Sequence, residues 1–289
     1  MSFAPGPALG LVVLAVLYVR AVRALGRRGY PVPRGQLAFW WTGWVVMTAA
    51  FVGPLDHYAP ELVSAHMAQH VLMADIATPL MLIGLRNPVL QFFLPRSVMV
   101  PLARRRSLRA AGARLRNPMV AVFVYTLVLY AWHIGPLFEA ALRNPVVHAL
   151  QHETFVVFSA FLWWPVLEPQ RRRMPGGLWK IPYIFGARLP TMFLGMGFIF
   201  IKDPIYAGWY GTGERTFGLS PVSDQGLGGG IMMLVDIVIL MAVLIAVFFR
   251  SASDDDADAP VGEPGAEGHL GGPGDEPDAE TGLQVAEVG

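Results

Sequence analysis

Long apolar stretches alternate with short polar connections along the first 250 residues of this chain. We predict that the first stretch is a retained helix rather than a signal peptide, because arginines and no small-residue cleavage site follow it. The pattern predicts an all-α integral membrane protein, a seven-transmembrane-helix bundle that crosses a bacterial cell membrane several times. Seven stretches approach the length needed to cross about 30 Å of hydrocarbon: roughly 8–25, 37–55, 66–84, 118–136, 148–167, 182–201 and 226–249.

The composition and the positions of the basic residues support this interpretation and orient the bundle. Hydrophobic residues make up 54% of the chain and charged residues 15%, which is too apolar for an ordinary soluble domain. Of the 22 lysines and arginines, 18 fall near span ends or in connections on one predicted side of the membrane, and three fall in connections on the opposite side. Basic residues favour the cytoplasmic side. We therefore predict an N-terminus outside the cell and a cytoplasmic C-terminus.

The segment 251–289 has a different composition from the rest of the chain. It is rich in aspartate, glutamate, proline and glycine, and it contains no aromatic residue. Such a segment cannot bury enough apolar surface to offset the entropy of ordering. The sequence therefore predicts two parts, a transmembrane domain over 1–250 and a disordered acidic cytoplasmic tail over 251–289, in which His269 is solvated.

Six of the seven histidines fall at the predicted outer end of the bundle. Two pairs follow the spacing His-x-x-x-His, which stacks two imidazoles on one face of a helix, one turn apart. Imidazole is the commonest protein ligand for transition metals. We therefore predict a metal site near the outer surface, built from histidines of separate helices. The six are His57, His66, His70, His133, His148 and His152.

The absence of cysteine narrows the chemistry of this predicted site. It excludes disulfides, thiolate metal ligands, covalent c-type haem and cysteine nucleophiles. Met67 shares the third predicted span with the first histidine pair, and thioether together with imidazole suits copper, above all Cu(I). Since no nucleophile or acid–base pair is evident, we do not interpret the chain as an enzyme.

Asp75, Arg188 and Asp236 fall deep inside the predicted spans, where a charge is costly unless it is paired. We expect Arg188 to form a structural ion pair with Asp236. Asp75 lies below His70 on the third span, so we predict it as a ligand or a polar support of the metal site. Asp224, at the start of the seventh span, is expected to cap that helix or to reach toward the histidines.

Several separated motifs resemble one family. His66-Met-Ala-Gln-His70 through Pro79 and Gly84, Trp132-His133-Ile-Gly-Pro136, His148 and His152 with Trp163-Trp164-Pro165, and Asp224-Gln225 occur in the order typical of the CtaG-type cytochrome c oxidase assembly factors. The resemblance implies a membrane protein that helps to build a haem–copper oxidase. It also implies that copper is supplied to oxidase subunit I as the partner.

Other functions remain open at this point. Facing histidines also suit a b-type haem, for which an absorbance band would decide. A metal or proton transporter would use Asp75, Arg188 and Asp236 as a relay. A retinal protein fails because predicted spans six and seven contain no lysine. We expect contact with membrane lipid, no nucleic-acid partner, and a possible homodimer.

Overall fold

A computed structural model describes residues 5–167 and 179–258, and all regular structure in these two ranges is helical. A π-helix, Leu72–Ala77, joins α4 to α5, and a 3-10 turn, Thr216–Gly218, precedes the last helix. In chain order the α-helices are α1 (Pro5–Gly26), α2 (Arg34–Val52), α3 (Pro54–Tyr58), α4 (Val63–Val71), α5 (Thr78–Gly84), α6 (Val89–Phe93), α7 (Arg96–Arg104), α8 (Arg106–Leu115), α9 (Pro118–His133), α10 (Gly135–Arg143), α11 (Pro145–Leu167), α12 (Lys180–Phe200), α13 (Ala207–Tyr210) and α14 (Pro221–Asp258).

Each of the seven predicted stretches falls on a helix, which confirms the all-α class. Five helical segments are long and apolar enough to cross a membrane, and a sixth results if α8 and α9, bent by 87°, form one span. The long helix α11 is not among them, because Gln151, His152 and Glu153 lower its mean hydropathy. The count of seven and the orientation therefore stay predictions. The five segments are Ala8–Gly26, Arg34–Tyr58, Val63–Gly84, Lys180–Phe200 and Pro221–Ala246.

Hydrogen bonds tie the helix connections together at two ends of the bundle. At one end, Gln36 Nε2 donates to Gly84 O at 3.0 Å and Arg86 Nη2 donates to Leu167 O at 3.2 Å. We call this the arginine end, because it also carries the amphipathic, arginine-rich helices α7 and α8. At the other end, Tyr206 OH donates to His133 O at 3.0 Å. This end, with the connections 53–62, 134–144 and 201–220, is the histidine end.

The third predicted span is one continuous helical rod with a wider turn in its middle. The π-helix Leu72–Ala77 lies directly before Thr78 and Pro79. Proline has no N–H to donate to the carbonyl four residues earlier, and its ring clashes with that carbonyl in a regular α-helix. A π turn relieves this conflict locally. Thr78 Oγ1 donates to Met73 O at 2.8 Å across the widened turn, which puts Asp75 inside it.

Two glycines bring α12 and α14 into backbone contact. A Cβ added at Gly195 would lie 2.9 Å from Gly229 O, so a side chain there would force the helices apart. Gly197 has no neighbour within 4 Å of such a Cβ. Close packing therefore depends on Gly195, and Gly197 plays no part in it.

The predicted acidic tail is described only at its beginning. Helix α14 continues to Asp258, eight residues into the segment predicted as tail. Residues 259–289, including His269, lie outside the described residues. So do residues 168–178, which contain three of the arginines (171–173) that support the predicted orientation. The disorder of the tail stays a prediction.

Candidate metal centre

Helix α4 carries the first histidine pair on its inner face. Nearly all of its residues are buried, because it packs between α2, α11 and α14, so both imidazoles point into protein rather than lipid. His66 is 0% exposed and His70 6%. Their ring centroids lie 4.4 Å apart, as expected for residues one helical turn apart on one face.

Helix α11 carries the second pair and faces the first. The rings of His148 and His152 are 4.2 Å apart. Across the helix contact, the ring of His66 lies 5.4 Å from that of His148, and the ring of His70 lies 5.3 Å from that of His152. Two helices that are far apart in sequence thus place four imidazoles against one another, which we call the histidine cluster.

Three members of the histidine cluster can hold one cation. One ring nitrogen from each of His66, His70 and His152 lies within 4.8 Å of the other two, and all three residues are buried. Ligand nitrogens at about 2.0 Å from an ion lie roughly 3.3–3.5 Å from one another. Small rotations of the side chains would therefore close the three rings on a metal, with His148 beside them.

Six of the eight ring nitrogens of the histidine cluster are buried without a hydrogen-bond partner among the described residues. A buried polar atom without a partner costs about 1–3 kcal/mol, so several in one place indicate a site for a polar or cationic occupant. Each neutral imidazole has a lone pair on one of its two nitrogens, so each ring can offer one ligand atom. The six atoms are His66 Nδ1 and Nε2, His70 Nδ1 and Nε2, His148 Nε2 and His152 Nε2.

Aromatic rings and a glutamine complete the walls of the cluster, and the sequence analysis missed them. The ring of Phe138 lies 4.8 Å from that of His66, and the ring of Phe155 lies 4.7 Å from that of His70. Gln151 is fully buried, and neither atom of its amide has a described partner. Gln151 follows His148 by three residues, and residues at this spacing share a helix face. The sequence could therefore have placed Gln151 beside the cluster.

His133 is brought to the same end of the bundle but has a different environment. It closes α9 and is 8% exposed. Its ring lies 6.2 Å from that of His70. Its Nδ1 lies 2.7 Å from Leu129 O, and its Nε2 lies 3.4 Å from the sulfur of Met67. The predicted candidates Met67 and His133 therefore contact each other at the edge of the cluster.

His57 is the predicted histidine that the structure does not bring to the cluster. It lies on α3, where its side chain is exposed, and its ring contacts that of Tyr58 at 4.9 Å. The sequence placed it at the correct end, but α3 is a short helix outside the α4–α11 contact. We therefore remove His57 from the candidate ligands.

Asp75 lies below the cluster, as predicted, but its carboxylate is not free to bind a metal. It accepts from Arg188 Nη1 at 2.5 Å, and Asp236 accepts from the same nitrogen at 3.0 Å. The predicted pair of Arg188 and Asp236 is confirmed, with Asp75 as a second carboxylate. The guanidinium also lies 5.8 Å from the rings of Tyr125 and Trp163. We call Asp75, Arg188 and Asp236 the ion triad and correct the prediction of Asp75 as a ligand.

Asp224 caps a helix, but a different one from the helix predicted. Its carboxylate accepts from Val63 N at 2.8 Å and from Ser64 N at 3.0 Å, the first N–H groups of α4. The start of α14 is instead capped by Ser220, whose Oγ accepts from Ser223 N at 3.1 Å. Asp224 thereby fixes the turn that leads to His66.

The connection 201–220 covers this part of the bundle. The ring of Tyr206 stacks on that of Phe138 at 3.9 Å, and Tyr210 OH donates to Ala59 O at 2.8 Å. Burial, together with the negative charge of Asp224, raises the pKa of Tyr210 well above its ordinary value. The tyrosine therefore stays a neutral donor, and the connection stays tied over the histidine end.

Comparison with known proteins places this geometry in a family. A family model described as cytochrome c oxidase caa3 assembly factor, Caa3_CtaG, matches residues 16–254, which contain the whole histidine cluster and the ion triad. The chain belongs to the Caa3_CtaG family. Membership confirms the resemblance seen in the separated motifs.

Relatives of this Caa3_CtaG chain occur in mycobacteria. The uncharacterized proteins Mb0105 of Mycobacterium bovis and MT0111 of Mycobacterium tuberculosis are each 25% identical to it over 252 residues. The uncharacterized protein ML1998 of Mycobacterium leprae is 23% identical over 266 residues. Each match covers 84% of this chain and 38% of the relative, so the chain spans well under half of their length. No solved structure matches it.

Proposed function

We propose that this Caa3_CtaG chain is a membrane assembly factor, not an enzyme, that binds copper at the histidine cluster and helps to deliver it to subunit I of a haem–copper cytochrome c oxidase. One observation carries the proposal. His66, His70 and His152 are buried and hold ring nitrogens within 4.8 Å of one another. Each of the three also has a buried ring nitrogen without a hydrogen-bond partner among the described residues.

The ligand set suits a metal that is passed on rather than kept. All three ligands are neutral imidazoles, and the chain contains no cysteine to form a strong thiolate bond. Imidazole suits copper among the first-row metals. A cation held by neutral nitrogen ligands can exchange to another imidazole-lined site without the release of a thiolate.

The small cavity beside the cluster favours a bare ion over haem. This cavity is lined by His70 and His133, but not by His66, His148 or His152, and measures about 20 Å³, enough for one water-sized occupant. Cofactor pockets measure about 300–1,000 Å³. A porphyrin would require α4 and α11 to separate, whereas a copper ion requires only side-chain rotations.

Transfer to a membrane partner requires a lateral route, and α11 offers a surface for it. The cluster-bearing helix presents exposed apolar side chains on its opposite face, among them Val146 at 75% and Leu150 at 56%. His148 lies on the cluster face of the same helix and is half-buried, whereas the other three cluster histidines are buried. A partner subunit that packs beside α11 within the bilayer would therefore reach the site first at His148.

The ion triad supports assembly-factor function over a proton or metal relay. Arg188 is held by two carboxylates through one nitrogen, and its guanidinium lies between two aromatic rings. Such an arrangement fixes three helices rather than providing a mobile carrier.

The test compares the Cu(II) bound by the purified full-length protein, since the histidine nitrogens suit this ion. Wild type is expected to bind copper, and the variant with His66, His70, His148 and His152 changed to Ala is expected to lose it. His57→Ala is the matched control, since it removes an exposed histidine at the same end, and it is expected to bind as wild type does. Equal copper in the wild type and the fourfold variant would refute the proposed site.

A second arm tests the role in assembly. A bacterium that lacks its own copy of the gene is complemented with wild type, the fourfold variant or His57→Ala, and the copper content and activity of the oxidase are measured. We expect the fourfold variant alone to leave subunit I deficient in copper. Normal oxidase with the fourfold variant would contradict copper delivery, even if the purified protein binds the metal.

A further inference from the structure

We propose that the chain has a second metal position, distinct from the three-histidine position, in which His133 and Met67 bind a soft monovalent cation such as Cu(I). The proposal rests on the proposed function, because the ion would arrive through the histidine cluster. It adds a thioether ligand, and it predicts that the ion moves from the three-histidine position to the position of His133 and Met67.

The protonation of His133 is fixed by a backbone carbonyl. Its Nδ1 lies 2.7 Å from Leu129 O, and a carbonyl only accepts, so Nδ1 carries the proton and donates. In the neutral ring the other nitrogen, Nε2, then holds a lone pair. A doubly protonated ring would be a buried cation, and no described carboxylate forms an ion pair with it.

That lone pair points at another atom that cannot donate. Nε2 lies 3.4 Å from the sulfur of Met67, and a thioether has lone pairs and no hydrogen. Two acceptors thus face each other in a buried place, since Met67 is 1% exposed. This contact is not a hydrogen bond, and a cation between the two atoms would satisfy both.

The separation of the two atoms suits shared coordination. For bonds of about 2.0 Å to nitrogen and 2.3 Å to sulfur, a nitrogen–sulfur distance of 3.4 Å corresponds to an angle of about 104° at the ion. That angle is close to the value for tetrahedral coordination. Imidazole with thioether is a ligand pair that selects Cu(I) among the biological metals.

The surroundings contribute a further sulfur, a shared histidine and a negative charge. Met232 and His70 line the same small cavity as Met67 and His133, and Asp75 lines it too. His70 lies beside both positions, so a cation can move from one to the other without entering water. The Asp75 carboxylate, which pairs with Arg188, forms part of the cavity wall beside the deeper position.

The experiment titrates the full-length protein in detergent with Cu(I) without oxygen and records X-ray absorption at one and two equivalents. We expect two bound equivalents in wild type, with a sulfur neighbour at about 2.3 Å that appears with the second. Met67→Leu preserves the side-chain size and removes the sulfur, so it is expected to bind one equivalent with nitrogen neighbours only. Met73→Leu is the matched control, because Met73 is also buried on this span and lies outside the cavity.

The outcomes separate this inference from the proposed function. Nitrogen-only binding of one equivalent, unchanged in Met67→Leu, would overturn the second position and leave the three-histidine position intact. A double change of His66 and His152 to Ala is expected to lose the nitrogen-only equivalent and keep the one with sulfur. No copper in wild type would overturn both proposals. The wild-type protein must itself show a sulfur neighbour at two equivalents. The inference can therefore be tested even if a variant fails to fold.

Discussion

The histidine cluster and the ion triad are two buried polar regions of one bundle, and they differ in whether the chain itself pairs their polar groups with opposite charges. In the triad, Arg188 Nη1 forms ion pairs with both carboxylates, so opposite charges are paired within the chain, although Arg188 Nε and Nη2 and Asp236 Oδ2 have no hydrogen-bond partner among the described residues. In the cluster, six ring nitrogens have no hydrogen-bond partner among the described residues, and none of them belongs to an ion pair described there. Buried polar groups are normally satisfied. The difference indicates that the triad holds the bundle together, whereas the cluster is built for an occupant from outside.

Removal of the arginine of the triad should have the largest effect on stability. Arg188→Leu leaves two buried carboxylates without a counter-charge, and loss of one partner of a buried pair costs about 3–5 kcal/mol. We expect that loss in the free energy of unfolding, measured by denaturation in detergent. The control is Arg143→Ala, which breaks an exposed pair with Glu139 and should cost about 0–1 kcal/mol. Similar losses in both variants would show that the triad is not structural.

Copper added as Cu(II) should stabilise the protein through the histidine cluster. A ligand at about 100 times its Kd adds about 2.7 kcal/mol to the free energy of unfolding. We expect a rise of this order in wild type and in His57→Ala. The variant with His66, His70, His148 and His152 changed to Ala loses buried side chains and starts from a lower stability, so each variant is compared with and without copper, and this variant should show no rise. A copper-dependent rise in melting temperature of the fourfold variant would locate the binding elsewhere.

The glycine contact between α12 and α14 should affect the triad without affecting the cluster. Gly195→Ala pushes a methyl against Gly229 O, and overpacking of this kind costs about 1–3 kcal/mol. Gly197→Ala, two residues away with free space around it, should be neutral or stabilising by up to about 1 kcal/mol, because alanine favours the helix. Thermal unfolding of both variants, with copper content as a second readout, checks this. Equal destabilisation would contradict the close approach.

Removal of the cap on α4 should have the smallest effect on stability but should reach the cluster. Asp224→Ala leaves the N–H groups of Val63 and Ser64 without their acceptor and should cost about 0.5–2 kcal/mol. Because the first turn of α4 positions His66, we also expect weaker copper binding, measured by competition with a chelator. Ser220→Ala, which removes the cap of α14, should leave copper binding unchanged. An unchanged copper affinity in Asp224→Ala would show that the cap does not position the site.

The sequence predicted the helices well because apolar runs and helical spacing are local properties. The spacing of four put His66 above His70, and His148 above His152, on single faces. The excess of arginine identified one end of the bundle. An arginine inside a span required a carboxylate, so its pairing with Asp236 was predictable from charge alone.

Contacts between distant segments were not predictable in the same way. The exposure of His57, the second carboxylate on Arg188 and the capping of α4 by Asp224 each depend on which helices touch. Two of these contacts join residues more than 100 positions apart in the chain. Periodicity gives the face of a helix but not its neighbour, so these assignments required the packed structure.

The sequence by itself determined the helical class, the two ends, the histidine pairs and the absence of thiolate ligands, since each follows from residue type and local spacing. Only the tertiary structure decided that α4 packs against α11, which leaves six imidazole nitrogens without hydrogen-bond partners among the described residues, and that Asp75 is held by Arg188. The physical reason is that coordination and charge compensation depend on distances of a few ångströms between atoms, and those distances are set by helix packing.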